Sequence, residues 1–288
     1  MTDLPDRTPA PPPGRAPIPA PDHASAPALA PTLADDLAVA LTLAGEADLI
    51  AMDRYRAQDL DVQLKPDRTQ VTDADTRVER MIREHLSQAR PDDSVFGEEF
   101  GTTGRSTRQW IVDPIDGTSN FVRGVPIWGL LLALVIDGIP QLGVVSAPAL
   151  GRRWWGATGH GAWTQLDGGE PRRLAVSGID ELAEATLSYN SLKGWDEAGR
   201  LDQLIGLSRE VGRTRAFGDL WAYMLVAEGA IDIAGEFDLK PWDIAALVPV
   251  IQEAGGRLTT VDGADSLTDG SALASNGLLH DRVLRLLR

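Results

Sequence analysis

Two amphipathic helices are predicted near the beginning of the chain. The first starts behind Thr32, which together with Asp35 forms a capping-box pattern, and continues for about 25 residues. Its apolar face is made of residues at helical spacing: Leu37, Leu41, Ala44, Ala47 and Ala51. A second helix is predicted over residues 73–89, and it ends before Pro91 because proline cannot continue a helix.

The pattern then changes to short apolar runs that are typical of strands. Residues 110–112 predict a short buried strand. The runs 128–136 and 142–147 predict a hairpin that turns at Asp137 and Gly138, a pair that favours tight turns. Two further strands are predicted around the pairs Trp154-Trp155 and Ala162-Trp163.

The C-terminal half alternates between the two periods. Helices are predicted over residues 196–211, 219–227, 242–254 and 278–287. Strands are predicted over residues 213–217, 231–234, 257–261 and 271–274. Hairpins combined with strand–helix alternation indicate a mixed α/β fold of layered sheets and helices rather than a purely parallel sheet.

Composition restricts the classes of function. The chain has 288 residues with 27 basic and 42 acidic side chains, which gives a net charge of −15. Such a balance argues against general binding of nucleic acids or anionic membranes, because both need clustered Lys and Arg. Since the chain has no cysteine, disulfides, zinc–thiolate sites and cysteine nucleophiles are excluded, and a cytoplasmic protein is expected.

The first 31 residues differ from the rest of the chain. They hold ten of the 19 prolines and are rich in alanine, so we expect a disordered tail that is dispensable for chemistry. They carry neither the basic nor the apolar region of a signal peptide. No apolar run approaches the ~20 residues needed to span a bilayer. A single domain is predicted over residues 32–288.

The stretch from Asp113 to Asn120 holds the most informative chemistry. Asp113 follows the predicted strand, Pro114 fixes the backbone behind it, and Asp116 lies close enough for both carboxylates and the carbonyl of Ile115 to surround one point. Hard oxygen ligands of this kind suit Mg²⁺. Gly117 allows close approach to a ligand, and Thr118 to Asn120 predict the first turn of a helix whose N–H groups can face an anion.

Each of these features has a simpler structural interpretation. Asp116 could cap an ordinary helix, and the adjacent Glu98 and Glu99 could form a solvated surface. Asp243 could favour the dipole of the helix that it begins. In the polar cluster before the second helix, Asp73 or Asp75 could act as the N-cap.

Taken in order, five segments resemble the inositol monophosphatase family of metal-dependent phosphatases. They are residues 71–75 (Val-Thr-Asp-Ala-Asp), 97–99 (Gly-Glu-Glu), 110–121 with Asp-Pro-Ile-Asp-Gly-Thr at their centre, 242–243 (Trp-Asp) and 253–256 (Glu-Ala-Gly-Gly). The resemblance covers nearly everything after the tail. It implies a layered αβαβα sandwich in which residues 32–170 hold the metal and phosphate site and residues 171–288 form the substrate side.

The resemblance also implies a role for each matching residue. Two or three Mg²⁺ ions would be held by Glu98, Asp113, the backbone oxygen of Ile115, Asp116 and Asp243. Glu98 and Thr118 would orient the attacking water, with Asp75 supporting Thr118, while the N–H groups of Gly117 and Thr118 would face the phosphate. Further substrate contacts would come from Arg215, Asp219 and Glu236, and a homodimer is expected.

The pocket motif departs from the small residues that inositol phosphatases carry after the matching glycine. Here the residues are Gly218, Asp219 and Leu220. An added carboxylate suits a substrate with an ammonium group, because the two can form an ion pair. This stretch and residues 151–155 are also similar to the histidinol-phosphatase branch of the family. We therefore expect hydrolysis of L-histidinol phosphate, a step of histidine biosynthesis.

Other interpretations remain open. Asp219 could be a helix cap, and Arg215 could be a structural ion-pair partner. The protein could instead be an inositol 1-phosphate or broad-specificity sugar phosphatase, or a catalytically silent metal-binding relative.

Overall fold

The computed structural model describes residues 32–66 and 69–288, so the predicted tail over residues 1–31 lies outside the described residues. The helices in this part are α1 (Leu33–Arg54), α2 (Asp73–Ala89), α3 (Thr118–Arg123), α4 (Leu192–Glu197), α5 (Leu201–Glu210), α6 (Asp219–Ala227), α7 (Pro241–Ile244), α8 (Leu247–Glu253) and α9 (His280–Leu287). Two short 3₁₀ turns occur at Pro148–Leu150 and Leu182–Glu184.

An eight-stranded sheet dominates the fold. Its strands are β3 (Ser94–Gly97), β4 (Gly101–Thr103), β5 (Arg108–Asp116), β6 (Gly129–Ile136), β7 (Ile139–Ala147), β8 (Arg152–Ala157), β9 (Gly161–Leu166) and β10 (Arg172–Arg173), in the order β10-β9-β8-β7-β6-β5-β3-β4. All neighbours are antiparallel except β3 and β5, which run parallel. The predicted hairpin is confirmed, and its turn at Asp137 and Gly138 has positive φ at both residues.

Two smaller sheets complete the strands. Five strands, β11 (Thr186–Ser188), β12 (Arg213–Arg215), β13 (Ile233–Phe237), β14 (Arg257–Thr259) and β15 (Ser271–Ser275), form a sheet in the order β12-β11-β13-β15-β14. A separate two-stranded ribbon is made of β1 (Val62–Leu64) and β2 (Gln70–Thr72). The ribbon and the β3–β4 hairpin lack a hydrophobic period, and sequence patterning missed both.

Three apolar cores join the layers. One lies between α1, α2 and the outer face of the large sheet, with Ala44, Ile82 and Leu132 fully buried. A second fills the space between the two sheets around α6 and α8, and a third packs α5 and α9 against the far face of the small sheet. The order helix–sheet–helix–sheet–helix confirms the expected αβαβα sandwich.

Helix bounds follow local chemistry. The capping box of Thr32 and Asp35 starts α1 as predicted, and α2 has its predicted bounds. The single helix predicted over residues 196–211 is wrong: the chain forms α4 and α5, because Gly199 at φ 68° interrupts the helical backbone between them. Over residues 32–66 and 69–288, no helix combines the length and the apolar character needed to cross a membrane.

Candidate active site

The end of β5 brings two carboxylates to one edge of the large sheet. The pairing of β5 with β6 shifts register between Asp113 and Asp116. Pro114 lies in this interval and has no N–H that could donate a hydrogen bond to β6. The irregularity turns both aspartates toward α7, whose Asp243 joins them. One oxygen from each of the three carboxylates lies within 4.8 Å of the others.

Electrostatics in this triad favour a bound cation. Burial raises the pKa of Asp113 well above its usual range, and repulsion from Glu98, Asp116 and Asp243 adds to the effect. Burial likewise raises the pKa of Asp116, and it raises that of Asp243 to about 7. A divalent cation would compensate this repulsion, and an all-oxygen donor set of this size fits Mg²⁺.

One oxygen of each aspartate is already held by the backbone. Asp113 Oδ1 accepts from the N–H of Ile115 over 3.0 Å, Asp116 Oδ2 from Leu220 over 2.7 Å, and Asp243 Oδ2 from Lys240 over 2.7 Å. These contacts fix the three side chains and leave the second oxygen of each available to a ligand.

Glu98 follows β3 and is paired with a lysine from the β1–β2 ribbon. Its N–H donates to Val112 over 3.1 Å, which places Glu98 beside Asp113. Lys65 Nζ lies 2.7 Å from Glu98 Oε1 and 2.7 Å from Glu99 Oε1. Although burial opposes the charge of Lys65, the two carboxylates outweigh it and raise the pKa of the lysine. Glu98 thus borders the triad but lies outside the set of three oxygens that converge there.

Asp75 connects the start of α2 to Thr118. The N-cap of α2 is Thr72, and Asp75 completes a capping box by accepting from the Thr72 N–H over 2.8 Å and its hydroxyl over 2.5 Å. The other oxygen, Oδ1, accepts from Thr118 Oγ1 over 3.5 Å. Burial raises the pKa of Asp75 to about 6. The proposal that Asp73 or Asp75 is the N-cap is therefore wrong.

Gly117, with φ 79°, is the N-cap of α3. A Cβ at this position would lie 3.1 Å from the carbonyl oxygen of Ile127 and 3.4 Å from Asp219 Oδ2, so both backbone angle and space require glycine. The helical turn predicted behind Gly117 is present, and neither Asp116 nor Thr118 caps it. The hydroxyl of Thr118 instead donates to the carbonyl of Ile115 over 3.0 Å.

A cavity of about 310 Å³ opens beside the triad. Asp116 and Asp243 form one end, and Asp219, Tyr223 and Glu236 line it further away. Asp219 begins α6 with φ 53°, and its carboxylate accepts from Asn120 Nδ2 over 2.8 Å. Because the N-cap is Gly218 and Asp219 makes no capping hydrogen bond, the helix-cap interpretation of Asp219 is wrong.

Glu236 lies on β13 and is 6% exposed. Its Oε2 accepts from Asn190 Nδ2, and burial raises the pKa of Glu236 to about 7. The hydroxyl of Tyr223 is buried and makes no close hydrogen bond among the described residues, and it interacts with the neighbouring carboxyl group of Glu236.

Two sequence features lie away from this cavity. Arg215 ends β12 with an exposed side chain that donates to the carbonyl of Thr214, and it does not line the cavity. Trp154 and Trp155 do not line it either: Trp154 is fully buried against Trp221 and donates to Glu228.

Sequence reasoning missed three partners in the site: Lys65 as the partner of Glu98, Asn190 as that of Glu236, and Asn120 as that of Asp219. Lys65 and Glu98 are 33 residues apart, and Asn190 and Glu236 are 46 residues apart. No local pattern reports such pairs. Asn120 belongs to the long motif around Asp116, and its place in that motif was the one available signal.

Comparison with known proteins agrees with this geometry. A model of the inositol monophosphatase family matches residues 33–288. A histidinol-phosphatase of Mycobacterium tuberculosis is 56% identical over 254 residues, which are 88% of this chain and 98% of that protein. A histidinol-phosphatase of Streptomyces coelicolor is 52% identical over 257 residues, covering 88% of this chain and 97% of the relative.

Solved structures show the same fold. The extragenic suppressor protein suhB of Bartonella henselae superimposes with a TM-score of 0.79 at 29% identity, over 88% of this chain and 98% of the other. The residues matched by the family model begin with the first residue of α1 and include all of α9, so they contain the carboxylate triad and the cavity beside it. The chain therefore belongs to the inositol monophosphatase family.

Proposed function

We propose that this protein hydrolyses L-histidinol phosphate to L-histidinol and inorganic phosphate in the presence of Mg²⁺. The observation that carries the proposal is the position of Asp219, a half-buried carboxylate that lines the cavity next to the aspartate triad. A substrate with a phosphate at one end and an ammonium group close by matches this order of groups. The two relatives with more than half of their residues identical are named histidinol-phosphatases, which supports the same substrate.

The residues that would hold Mg²⁺ are Asp113, Asp116 and Asp243, with Glu98 and the carbonyl of Ile115 at the border of the triad. Bound there, Mg²⁺ supplies Lewis-acid neutralisation of the phosphate and of the leaving oxygen, and makes a water molecule more acidic. The number of ions that we propose is two or three.

The chain's own side chains position the nucleophile. Glu98 and Thr118 orient the attacking water, and Asp75 keeps the Thr118 hydroxyl in place through the 3.5 Å contact. The first N–H groups of α3, at Gly117 and Thr118, have no partner within the helix and face the phosphate oxygens. Because water attacks phosphorus directly, this scheme needs no phosphorylated side chain.

Charge in the cavity selects the organic part of the substrate. Among the described residues that line the cavity, Lys193 has the one basic side chain. This side chain is 81% exposed, and its Nζ lies 3.4 Å from Glu197 Oε1. When cations neutralise the triad, the carboxyl groups of Asp219 and Glu236 still line the cavity, and a cationic ligand favours their charged forms. A positively charged substrate is therefore favoured over a neutral polyol such as an inositol phosphate.

Side-by-side measurement of phosphate release from L-histidinol phosphate and inositol 1-phosphate tests the proposal. We expect a clear preference in kcat/KM for L-histidinol phosphate with Mg²⁺, and no release from either ester after chelation with EDTA. A preference for inositol 1-phosphate would instead indicate a sugar or inositol phosphatase. Release from neither ester with Mg²⁺ present would indicate a silent metal-binding relative.

The biological setting follows from the substrate. We propose that the protein acts in histidine biosynthesis, in the cytoplasm and as a homodimer, with no membrane or nucleic-acid partner. We also propose that residues 32–288 form a single phosphatase domain, with the metal and phosphate site in residues 32–170 and the substrate side in residues 171–288. A chain that begins at Thr32 should then keep the kcat/KM of the full chain.

A further inference from the structure

Two carboxylates in the cavity are each oriented by an asparagine. Asp219 accepts from Asn120 Nδ2 over 2.8 Å, and Glu236 accepts from Asn190 Nδ2. An amide N–H fixes one oxygen of a carboxylate and brings no positive charge, so the second oxygen of each group is available to a ligand. Asn190 itself adopts φ 52°, and a Cβ on Gly218 would lie 2.7 Å from its Oδ1, so the position of Asn190 is also held by the chain beside it.

Tyr223 adds an independent sign that a ligand group belongs here. The side chain lines the cavity and is 2% exposed, and within the part of the chain that the structure describes its hydroxyl makes no close hydrogen bond, only a longer contact with Glu236. Buried polar groups are nearly always paired, because an unpaired one keeps the cost of losing water without a compensating contact. A hydroxyl that faces a cavity next to a carboxylate is therefore placed for a polar group of the ligand.

The carboxylates lie in a fixed order along the cavity. A Cβ on Gly117, the residue after Asp116, would lie 3.4 Å from Asp219 Oδ2, and the N–H of Leu220, the residue after Asp219, donates to Asp116 Oδ2 over 2.7 Å, whereas Glu236 accepts from Asn190. Asp219 is thus the group nearer to the metal end, and Glu236 lies further away. The substrate proposed above has the same order, with phosphate first, the ammonium group next and the imidazole ring last.

We infer that Glu236 and Tyr223 bind the imidazole ring of the substrate, with Asn190 as the residue that positions Glu236. The ring N–H donates to the free oxygen of Glu236, and the Tyr223 hydroxyl pairs with the ring's polar edge. Asp219 takes the ammonium group. Tyr223 and Asn190 are then specificity-determining residues, and this inference rests on the proposed function.

The test uses the full chain with the variant Tyr223→Phe, which removes only the hydroxyl. Binding of L-histidinol, which lacks the phosphate, is measured by isothermal titration calorimetry. The kcat/KM ratio of L-histidinol phosphate to O-phosphoethanolamine, which has the amine but no ring, is measured in parallel. We expect the dissociation constant of L-histidinol to rise about tenfold and the ratio to fall about tenfold, as for loss of one hydrogen bond.

Stability separates recognition from a structural role. Because the Tyr223 hydroxyl makes no close hydrogen bond to any described residue, Tyr223→Phe should unfold near the parent temperature or above it. Tyr55→Phe is the matched control, since its hydroxyl donates to the carbonyl of Gly124 over 2.6 Å, away from the cavity. The control should leave the substrate ratio unchanged. Asn190→Gly, which tolerates the positive φ, should lower the ratio in the same direction as Tyr223→Phe.

Two results would overturn the inference while leaving the proposed function intact. One is a parent-like affinity of Tyr223→Phe for L-histidinol. The other is an equal loss of kcat/KM for both amine substrates in Tyr223→Phe, since that would indicate a general disturbance of the site. If the parent protein itself preferred inositol 1-phosphate, the proposed function and this inference would both fail.

Discussion

Asn120 and Asp219 are joined by a hydrogen bond of 2.8 Å that connects the two sides of the site across 99 residues of sequence. The same amide of Asn120 donates to the carbonyl of Ile127 over 2.8 Å, so both of its protons are used. The motif that carries the aspartates at the end of β5 therefore also orients the first residue of α6. Under the proposed function, the residues that hold the metal and the residue that selects the substrate are thus connected directly.

Asp219→Asn should separate the charge of this residue from its shape. Asparagine tolerates φ 53° and can still accept from Asn120, so the fold and the link should persist. The variant loses the ion pair with an ammonium group, for which we expect KM of L-histidinol phosphate to rise by about 10- to 100-fold. Initial rates at saturating Mg²⁺ measure the change.

The comparison substrate for this variant is inositol 1-phosphate, which has no positive charge. Its KM should change much less, and Asp219→Ala should give the same contrast. Equal effects on the two esters would reduce Asp219 to a structural residue of the cavity wall.

Asp116→Asn should abolish turnover and leave the fold intact. The amide oxygen can still accept from the N–H of Leu220, but one negative charge is lost from the triad. We expect kcat to fall by more than about 100-fold, because even outer-shell changes cost about 10- to 100-fold. Turnover at the parent rate under saturating Mg²⁺ would show that the metal assignment is wrong.

Thermal unfolding gives a second measurement on the same variant. The parent should gain unfolding temperature as Mg²⁺ is added, since a ligand that binds only the folded state stabilises it. Asp116→Asn should respond much less. Without metal, it should unfold at a higher temperature than the parent, because burial and the neighbouring Asp219 and Asp243 disfavour the charge that the substitution removes.

Sequence alone predicted the parts of the site that are local. Residues 110–112 with Asp113 and Pro114 predicted a strand that leads into carboxylates, and β5 does carry Asp113 and Asp116 at its C-terminal end. The αβαβα layers followed from periodicity combined with the family resemblance. The hairpin of β6 and β7 was predicted because its turn residues, Asp137 and Gly138, favour positive φ.

The rest depended on tertiary contacts that leave no local pattern. The β1–β2 ribbon has three exposed residues in β1 and no hydrophobic period, yet it brings Lys65 to Glu98. Asp219 was predicted as a substrate contact from its motif, while its hydrogen bond to Asn120, 99 residues away in sequence, could be identified only from the folded chain. Arg215 fits the family pattern in sequence, but β12 leaves its side chain exposed and outside the cavity lining.

Gly97→Ala should displace Glu98 through its neighbours. A Cβ on Gly97 would lie 2.0 Å from Glu79 Oε1, and Glu79 accepts from the N–H groups of Glu99 over 2.7 Å and Phe100 over 3.2 Å. Relief of this clash must move either Glu79 or the turn that presents Glu98. We expect the free energy of unfolding to fall by about 2 kcal/mol. The apparent affinity for Mg²⁺ should weaken by about 10- to 100-fold.

Gly206→Ala is the control for this change. It lies in α5, and nothing is within 4 Å of its Cβ position. The substitution should therefore stabilise the protein by about 0.5–1 kcal/mol and leave Mg²⁺ affinity unchanged. Urea unfolding and Mg²⁺ titration of activity report both quantities. A parent-like Mg²⁺ affinity in Gly97→Ala would show that Glu98 is not positioned through Glu79.

His280 makes stability depend on pH at a place remote from the triad. It is fully buried at the start of α9 between two hydroxyls, with Nε2 3.0 Å from Thr259 Oγ1 and Nδ1 2.9 Å from Ser275 Oγ. Because the Thr259 hydroxyl donates to the carbonyl of Thr260, the hydrogen-bond pattern assigns the proton of the neutral ring to Nε2. Burial and the positive charge of Arg257 lower the pKa of His280 to about 4.

The sign of the effect follows from the two pKa values of His280. In the unfolded chain the pKa of His280 is about 6.5. Between pH 6.5 and 4, His280 therefore binds a proton in the unfolded state but stays neutral in the folded state. Stability from this group is present above pH 6.5 and is lost as the pH falls toward 4, by up to about 3 kcal/mol.

His280→Gln should remove this contribution, so the difference in free energy of unfolding between parent and variant, measured in urea, should shrink from pH 7 to pH 4.5. A pH-independent difference for His280→Gln would mean that the folded protein accepts a proton on His280 as readily as the unfolded chain does.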